Sequence, residues 1–381
     1  MDFNLTDDQL SLAERTLEFA SSQLDEGFAT REREHRFGHQ QWRSCGEFGL
    51  LGLSVPARYG GLGLDALSTA LAIERFGQGF EDTGLVFSAC AHLLAAAMPI
   101  AEHGDDAIRE CLLPRIATGE LIAASAITEA EAGSDVYALS TTARREGGDY
   151  VLSGAKTYVT NAPVADVFVV YARTSPADGY LGLSAFVVQR GTPGLEVGPP
   201  LVKMGLTTSP VAAVLLSDCR VPAASRLGPE GAGREIFGSS MRWERSCLFA
   251  AYVGVMERQL ARTLEHVRTR RQFRRPLIRQ QAVAHRIADM KLRLEAARLL
   301  LYRACWMLDQ GQEAALDVSL AKLAISEAAI ASGLDAVHLH GGAGYLHETG
   351  AERGLRDALP AAIFSGTSEI QRDLIARSLG L

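Results

Sequence analysis

The sequence predicts an α+β protein in which a run of strands is held between two helical regions. Three observations carry this. A helical hydrophobic period runs through the first 120 residues; short strand-like runs with no helices between them extend from Leu121 to Pro222; and the helical period returns after Gly231 and lasts to the end of the 381-residue chain. The expected domains are therefore an N-terminal helical domain over 1–120, a middle antiparallel β domain over 121–232, and a C-terminal domain resembling a four-helix bundle over 233–381.

Each element has its own signal. Thr6 followed by Gln9 fits a capping box, and Leu10, Ala13, Leu17 and Ala20 then recur at helical spacing. The glycine-rich stretch Tyr59–Gly63 has the composition of a phosphate cradle, but no strand precedes it, so a plain turn is expected. In the middle region the runs Tyr150–Leu152, Thr157–Thr160, Val167–Tyr171, Ser184–Val188 and Val211–Leu216 are rich in β-branched and aromatic residues and are separated by Gly, Pro, Asn and Asp. Beyond Gln281, the residues Val283, Ile287, Met290, Leu294, Ala297, Leu301, Ala304 and Leu308 step by four and three along one long helix. A second helix carries Leu316, Leu320, Leu323, Ile330, Leu334 and Val337 on one face. Two such helices imply a bundle.

Composition excludes several classes. With 47% apolar and 22% charged residues the chain can bury a large core without metal or disulfide staples. Its six cysteines are scattered with no C-x-x-C pair, so buried thiols are expected. A net charge of −7 argues against broad nucleic-acid binding, which needs surplus Lys and Arg. The acidic N-terminus lacks the basic and apolar parts of a secretory signal. Apolar runs such as Cys247–Met256 fall short of the roughly 18 residues of a membrane span. A soluble, cytoplasmic protein is expected. No zinc-protease, serine-hydrolase or P-loop motif is present. His338 and His340 stand two apart, a spacing that points to different faces of a helix, so no metal site is expected.

Two strings in the middle region carry chemistry: Ala126–Asp135, containing Ile127, Thr128, Gly133 and Ser134, and Gly154–Asn161, containing Tyr158 and Thr160. They read as loops dense in hydroxyls, small residues and backbone N–H groups, suited to a polar ring edge and a pyrophosphate. Taken singly they read equally well as turns. Together they resemble the two flavin-binding signatures of the acyl-CoA dehydrogenase superfamily, whose helical, β, helical order matches the whole chain. The C-terminal half agrees. Arg270-Arg271-Gln272-Phe273 ahead of Gln281 resembles the family's R-x-x-F segment, which implies an Arg directed to the FAD pyrophosphate of a neighbouring subunit. His338–Tyr345, with Gly341 and Gly342, is similar to the turn that receives the adenine end of that FAD. Arg274 stands where the family usually has Gly, and His338 where it often has Gln. The resemblance also places Thr367 and Glu369 at the cofactor.

The base is where the sequence departs most from the family. Many members carry a catalytic Glu in an E-G-T motif before the last helix, whereas this chain has Ser365-Gly366-Thr367. A serine cannot remove the α-proton of a thioester, which needs a carboxylate in a dry pocket where desolvation raises its pKa. Some relatives place the base on the first long helix of the C-terminal domain, and there Trp243-Glu244-Arg245 stands next to the apolar run from Cys247. Glu244 is the expected base; the competing reading is a salt bridge to Arg245.

The opening Met1–Thr6, Phe87–Leu93, Tyr302–Trp306, Asp309–Gln312 and Ile363–Thr367 together resemble the flavin-dependent prolyl-carrier-protein dehydrogenases of pyrrole natural products. That resemblance implies oxidation of an L-prolyl thioester, carried on the phosphopantetheine of a peptidyl carrier protein, to the pyrrole-2-carboxyl thioester. It implies Glu244 as base, FAD as hydride acceptor, Tyr158 and Thr160 framing the flavin, and a homotetramer. Six arginines between Arg268 and Arg279 would meet the acidic carrier. The alternatives are a short- or branched-chain acyl-CoA dehydrogenase that passes electrons to an electron-transfer flavoprotein, and a flavin-binding relative without dehydrogenase activity.

Overall fold

The structure, a computed structural model, describes residues 4–24, 27–175 and 182–381; the first three residues of the Met1–Thr6 stretch lie outside the described residues. The N-terminal region holds α1 (Asp7–Ser22), α2 (Phe28–Arg33), α3 (His39–Phe48), α4 (Ala66–Gly79), α5 (Thr83–Cys90), α6 (Met98–His103) and α7 (Asp106–Ala117). The capping box at α1 forms in both directions: the Thr6 hydroxyl accepts from the Gln9 N–H at 3.2 Å, and the Thr6 N–H donates to Gln9 Oε1 at 3.0 Å. The period holds, but the face is rotated. Leu12, Ala13, Thr16, Phe19 and Ala20 are buried, whereas Leu10 is exposed. Phe19 stacks on Phe48 of α3 with centroids 4.3 Å apart, which fixes the side that turns inward.

Tyr59–Gly63 is a packing turn. A Cβ on Gly61 would stand 2.1 Å from the Val55 carbonyl oxygen, so only glycine fits there. One expectation about apolar runs needs correcting. Helix α5, a π-helical turn at Ala91–Ala97 and α6 continue as one stretch, Thr83–His103, long and apolar enough to cross a membrane by length and composition. Within the fold 89% of its apolar window is buried, so it packs as the central helix of the N-terminal region.

The middle region is one eight-stranded sheet of β1 (Ala123–Ala126), β2 (Thr142–Glu146), β3 (Asp149–Thr160), β4 (Val167–Arg173), β5 (Leu183–Gln189), β6 (Leu195–Val197), β7 (Val211–Pro222) and β8 (Arg226–Leu227). Its path is β6-β7-β3-β2-β4-β5-β8, with β1 added on β4. The sheet is not wholly antiparallel, because β1 and the start of β2 pair with β4 in parallel. The long connection from β1 through the β2–β3 hairpin lets the chain return to the same end before β4. The two strands expected at 150–152 and 157–160 are a single strand, β3. Its register against β7 shifts between Leu152 and Gly154 and again between Lys156 and Val159. Most of the Gly154–Asn161 string is therefore bulged strand rather than loop, and bulges re-aim the side chains that follow them.

The C-terminal region contains α8 (Gly233–Trp243), a π turn at Glu244–Leu248, α9 (Ala250–Thr269), the small hairpin β9 (Arg271–Gln272) and β10 (Arg275–Pro276), α10 (Gln281–Asp309), α11 (Ala315–His340), α12 (Ala351–Ala358) and α13 (Ser368–Ser378). Along α10 the seam through Met290, Leu294, Ala297, Leu301 and Ala304 is buried. On α11 the expected leucine row is not the core face. Small residues, including Ala321, Ala328, Ser332 and Ala336, are buried instead, while Leu334 is exposed and Leu316, Leu320 and Leu323 are half-buried. Close packing of α11 on α9, α10 and α12 selects the small side chains, because they allow the backbones to approach. Five cysteines are buried as expected, but Cys111 on α7 is exposed.

Candidate active site

Where the sheet meets the two π turns, a cleft of about 400 Å³ opens. One wall comes from the sheet and its loops: Ser125, Ile127, Thr128, Gly133, Ser134, Tyr158 and Thr160. The facing wall is apolar, with Phe87 on α5, Ala91 and Ala95 on the first π turn, and Phe237, Met241 and Leu248 around the second. The segment Ile363–Thr367 closes the remaining side. Single-turn π segments often mark functional positions because they displace side chains from the regular helical row. Here both face one cleft, and Glu244 begins the second.

Glu244 is the only carboxylate on the cleft wall among the described residues. Ser240 Oγ, one turn earlier on the same helix face, donates to Glu244 Oε1 at 3.0 Å, and Ser365 Oγ donates to Glu244 Oε2 at 2.7 Å. Burial raises the Glu244 carboxyl above its ordinary range; the hydrogen bonds from Ser365 and Ser240 and the nearby charge of Arg245 pull it partly back. Arg245 does not pair with Glu244. Its Nε donates instead to the Ser365 carbonyl oxygen at 2.8 Å. The helix end is anchored from α6, where Glu102 accepts from the Ser239 hydroxyl and from Trp243 Nε1, the latter at 2.7 Å. This arrangement suits proton abstraction from a small apolar substrate held between Glu244 and the hydroxyl-lined wall.

The expected residues fall into two groups. Ile127, Thr128, Gly133, Ser134, Tyr158, Thr160, Glu244 and Thr367 line the cleft. Arg270, Gln272, Phe273, Gln281, His338, Gly341 and Gly342 do not. They cluster on the surface where α9 ends, α10 begins and α11 ends, and all of them are exposed. His340 stacks on His266 with ring centroids 4.2 Å apart, and His338 Nδ1 lies 3.1 Å from Arg286 Nη1. Glu369, in the first turn of α13, is exposed, bonds Thr367 and lies outside the cleft lining.

The sequence passed over Ser240, Phe237 and Met241. Ser240 had a usable signal, its four-residue spacing from Glu244 on one helix. Ser365 was read only as an unsuitable base, and its role as a donor to the base needed the fold to bring residues 121 positions apart together.

Three family models match in chain order: the acyl-CoA dehydrogenase N-terminal domain over residues 6–120, the middle domain over 124–219 and the C-terminal domain over 231–380. The chain belongs to the acyl-CoA dehydrogenase family. Among its relatives in the family, it is 52% identical to an L-prolyl-(peptidyl-carrier protein) dehydrogenase of Pseudomonas fluorescens, over 100% of both chains. Among solved structures, it is similar to an FAD complex of PigA (TM-score 0.98, 46% identity, 100% of both chains). It is also similar to the prolyl acyl carrier protein oxidase AnaB (TM-score 0.97, 43% identity, 99% of this chain and 100% of the other).

Proposed function

We propose that this protein oxidises L-proline, held as a thioester on the phosphopantetheine arm of a peptidyl carrier protein, to the pyrrole-2-carboxyl thioester, with FAD as its cofactor. The observation that carries this reading is Glu244, a lone carboxylate in a small apolar cleft, in a chain 52% identical from end to end to a prolyl-carrier dehydrogenase. The cleft fits a flavin. It sets hydroxyls of Thr128, Ser134 and Thr160 against an apolar wall, and a side chain built on Gly133 would meet nothing within 4 Å. Ile127, Thr128, Gly133, Ser134, Tyr158, Thr160 and Thr367 would hold the isoalloxazine end. Bound there, FAD supplies the two-electron acceptor for the hydrogen that leaves Cβ.

The chain's own groups supply the rest. Glu244, raised by burial yet oriented by two hydroxyls, takes the α-proton. Positive φ at Ser365 (53°) and Gly366 (90°) makes a turn of the kind that presents backbone N–H donors, placed on the cleft wall to polarise a thioester oxygen. Phe87, Phe237 and Phe364 line the cleft with apolar surface that excludes water.

The exposed group around Arg270, Gln272, Phe273, Gln281, His338, Gly341, Gly342 and Glu369 would complete the FAD site of a neighbouring subunit in a homotetramer. Phe273 at 88% exposure, Leu292 at 68% and the half-buried leucine row of α11 all favour a partner surface. The six exposed arginines of Arg268–Arg279 suit an acidic carrier as well as the FAD phosphates. A carrier-tethered substrate favours a cytoplasmic enzyme.

The test is incubation of the purified protein with prolyl-loaded carrier, a panel of acyl-CoA thioesters and free proline. Loss of four hydrogens from the carrier-bound prolyl group alone is expected. Turnover of butyryl- or isovaleryl-CoA with none of the prolyl carrier would reassign the protein to fatty or branched-chain acyl oxidation.

A further inference from the structure

We propose that Ser365 is the hydroxyl through which Glu244 discharges its proton between the two oxidations. The inference rests on the two-round oxidation proposed above. In the first round the Cα–H bond breaks, its proton passes to the Glu244 carboxylate, and the Cα–Cβ double bond forms as the Cβ hydrogen leaves with its electron pair. The second round removes two further ring hydrogens, again as one proton and one hydride, and gives the aromatic ring. Between rounds an external two-electron acceptor must reoxidise the flavin, and Glu244 must again be a carboxylate.

No other carboxylate lines the cleft among the described residues, so one group serves both rounds. Once protonated, Glu244 is a half-buried carboxylic acid that bound flavin and substrate would cover from the cleft side, and its apolar neighbours on the wall, Phe87, Phe237, Met241 and Leu248, carry no proton away. Its raised pKa makes the acid form persistent. Two hydroxyls touch it. Ser240 is 1% exposed and bonds to nothing else among the described residues, so a proton passed there has no further step. Ser365 is the half-buried member, on the closing segment Ile363–Thr367, whose Ile363 is 66% exposed on the protein surface. It accepts the proton from Glu244 Oε2 and releases its own hydrogen outward to water, so the hydroxyl is restored at each transfer.

The backbone at Ser365 is built to hold this position. Its φ of +53° is costly for a residue with a side chain, and its carbonyl oxygen is gripped by Arg245 Nε at 2.8 Å and Gln371 Nε2 at 3.3 Å. The other polar groups placed around the carboxyl are the Arg245 guanidinium, turned to that carbonyl, and the Tyr171 phenol on β4, which is buried and has no described hydrogen-bond partner. Neither lies between Glu244 and solvent as a hydroxyl bonded to it.

The experiment is anaerobic stopped-flow mixing of the FAD-loaded protein with prolyl carrier in the presence of a pH-indicator dye. It is followed by multiple turnover with ferrocenium as the acceptor. In the wild type, proton release should track flavin bleaching. Ser365→Ala should bleach within about 5-fold of the wild-type rate but release its proton at least about 10-fold more slowly, and under turnover should accumulate the pyrroline thioester. Ser365→Gly, which suits the positive φ and leaves room for a water, should restore most of the release rate. Ser240→Ala should slow both rounds alike. Proton release still in step with bleaching in Ser365→Ala, loss of both together, or the same product partition in Ser240→Ala would overturn the relay. A wild type that does not bleach with prolyl carrier would instead refute the functional reading beneath it.

Discussion

Lys156 Nζ lies 2.7 Å from Glu129 Oε1, and both side chains are shut away from solvent. Glu129 also accepts from the N–H groups of Ser140 and Thr141 at 2.6 and 2.9 Å, while Lys156 donates to the Ile127 carbonyl at 3.1 Å. The pair therefore ties the segment from Ile127 to Thr141 onto β3 and fixes Thr128, Gly133 and Ser134 opposite Tyr158 and Thr160. Lys156→Met leaves a buried carboxylate without its cation, at a cost of about 3–5 kcal/mol. Chemical denaturation of the apoprotein should show that loss, with weaker FAD binding. A midpoint equal to the wild type's would mean that the loop is held by other contacts.

Burial pushes the Glu129 carboxyl up, but the hydrogen bonds from Lys156, Ser140 and Thr141 outweigh it and bring it down to about 2, from an ordinary value of 4.5. The folded pKa lies below the unfolded one, so this stabilisation is complete above 4.5 and is lost as pH falls through about 2. Acid unfolding of the wild type should steepen in that window. Lys156→Met, which has already lost the pair, should show a shallower dependence there.

Glu244→Gln keeps the size and both serine contacts but removes the carboxylate proposed as the base. FAD should remain bound, and reduction by prolyl carrier should fall by about 10²–10⁴-fold in single-turnover absorbance measurements. Full activity in this variant would move the base elsewhere. The pH profile gives an independent check. The Glu244 carboxyl is raised by burial, and the base works only when ionised, so the acid limb of kcat/KM should lie above the ordinary carboxylate range. Ser240→Ala removes a bond that lowers the pKa, and should move that limb to still higher pH.

Helix and strand existence were legible because they follow from periodicity, which is local. The finer errors have physical causes. On α11 the large leucines drew attention, but small residues such as Ala328 and Ser332 occupy the buried face because helices pack closest where side chains are smallest. Strand β3 looked broken at Gly154 because a bulge and a turn share the same residue. The W-E-R context and the missing alternative at Ser365 pointed to Glu244, which lines the cleft. That Ser365 would return as the donor to Glu244 depends on a contact across 121 residues, which no local pattern encodes.

The pocket's size should be adjustable at Phe87. Its ring sits 4.8 Å from that of Phe364, which in turn lies 5.2 Å from Phe249. Phe87 lines the cleft and ends this aromatic row, so Phe87→Ala enlarges the cleft proposed to hold the substrate ring, at a stability cost of up to about 3–5 kcal/mol if the cavity does not collapse. The six-membered pipecolyl group, loaded on the same carrier, should then be oxidised at a rate nearer that of the prolyl group. An unchanged preference would place the size limit elsewhere on the wall.

Tyr171 offers the last test. Its phenol is fully buried on β4, has no hydrogen-bond partner among the described residues, and its ring meets Phe237 of the cleft wall edge-on with centroids 6.0 Å apart. A buried hydroxyl without a partner costs about 1–3 kcal/mol, so Tyr171→Phe should stabilise the apoprotein by about 1 kcal/mol in denaturant titrations. Beyond the thioester, the prolyl group has one polar atom, the ring nitrogen. If the variant gains stability and reduces its flavin at the wild-type rate, the phenol is a tolerated defect behind Phe237. If the variant gains stability while KM for the prolyl carrier rises, the phenol is satisfied only when that nitrogen is present; flat stability would mean that the phenol is already satisfied in the apoprotein, and the prediction of a stabilising substitution fails.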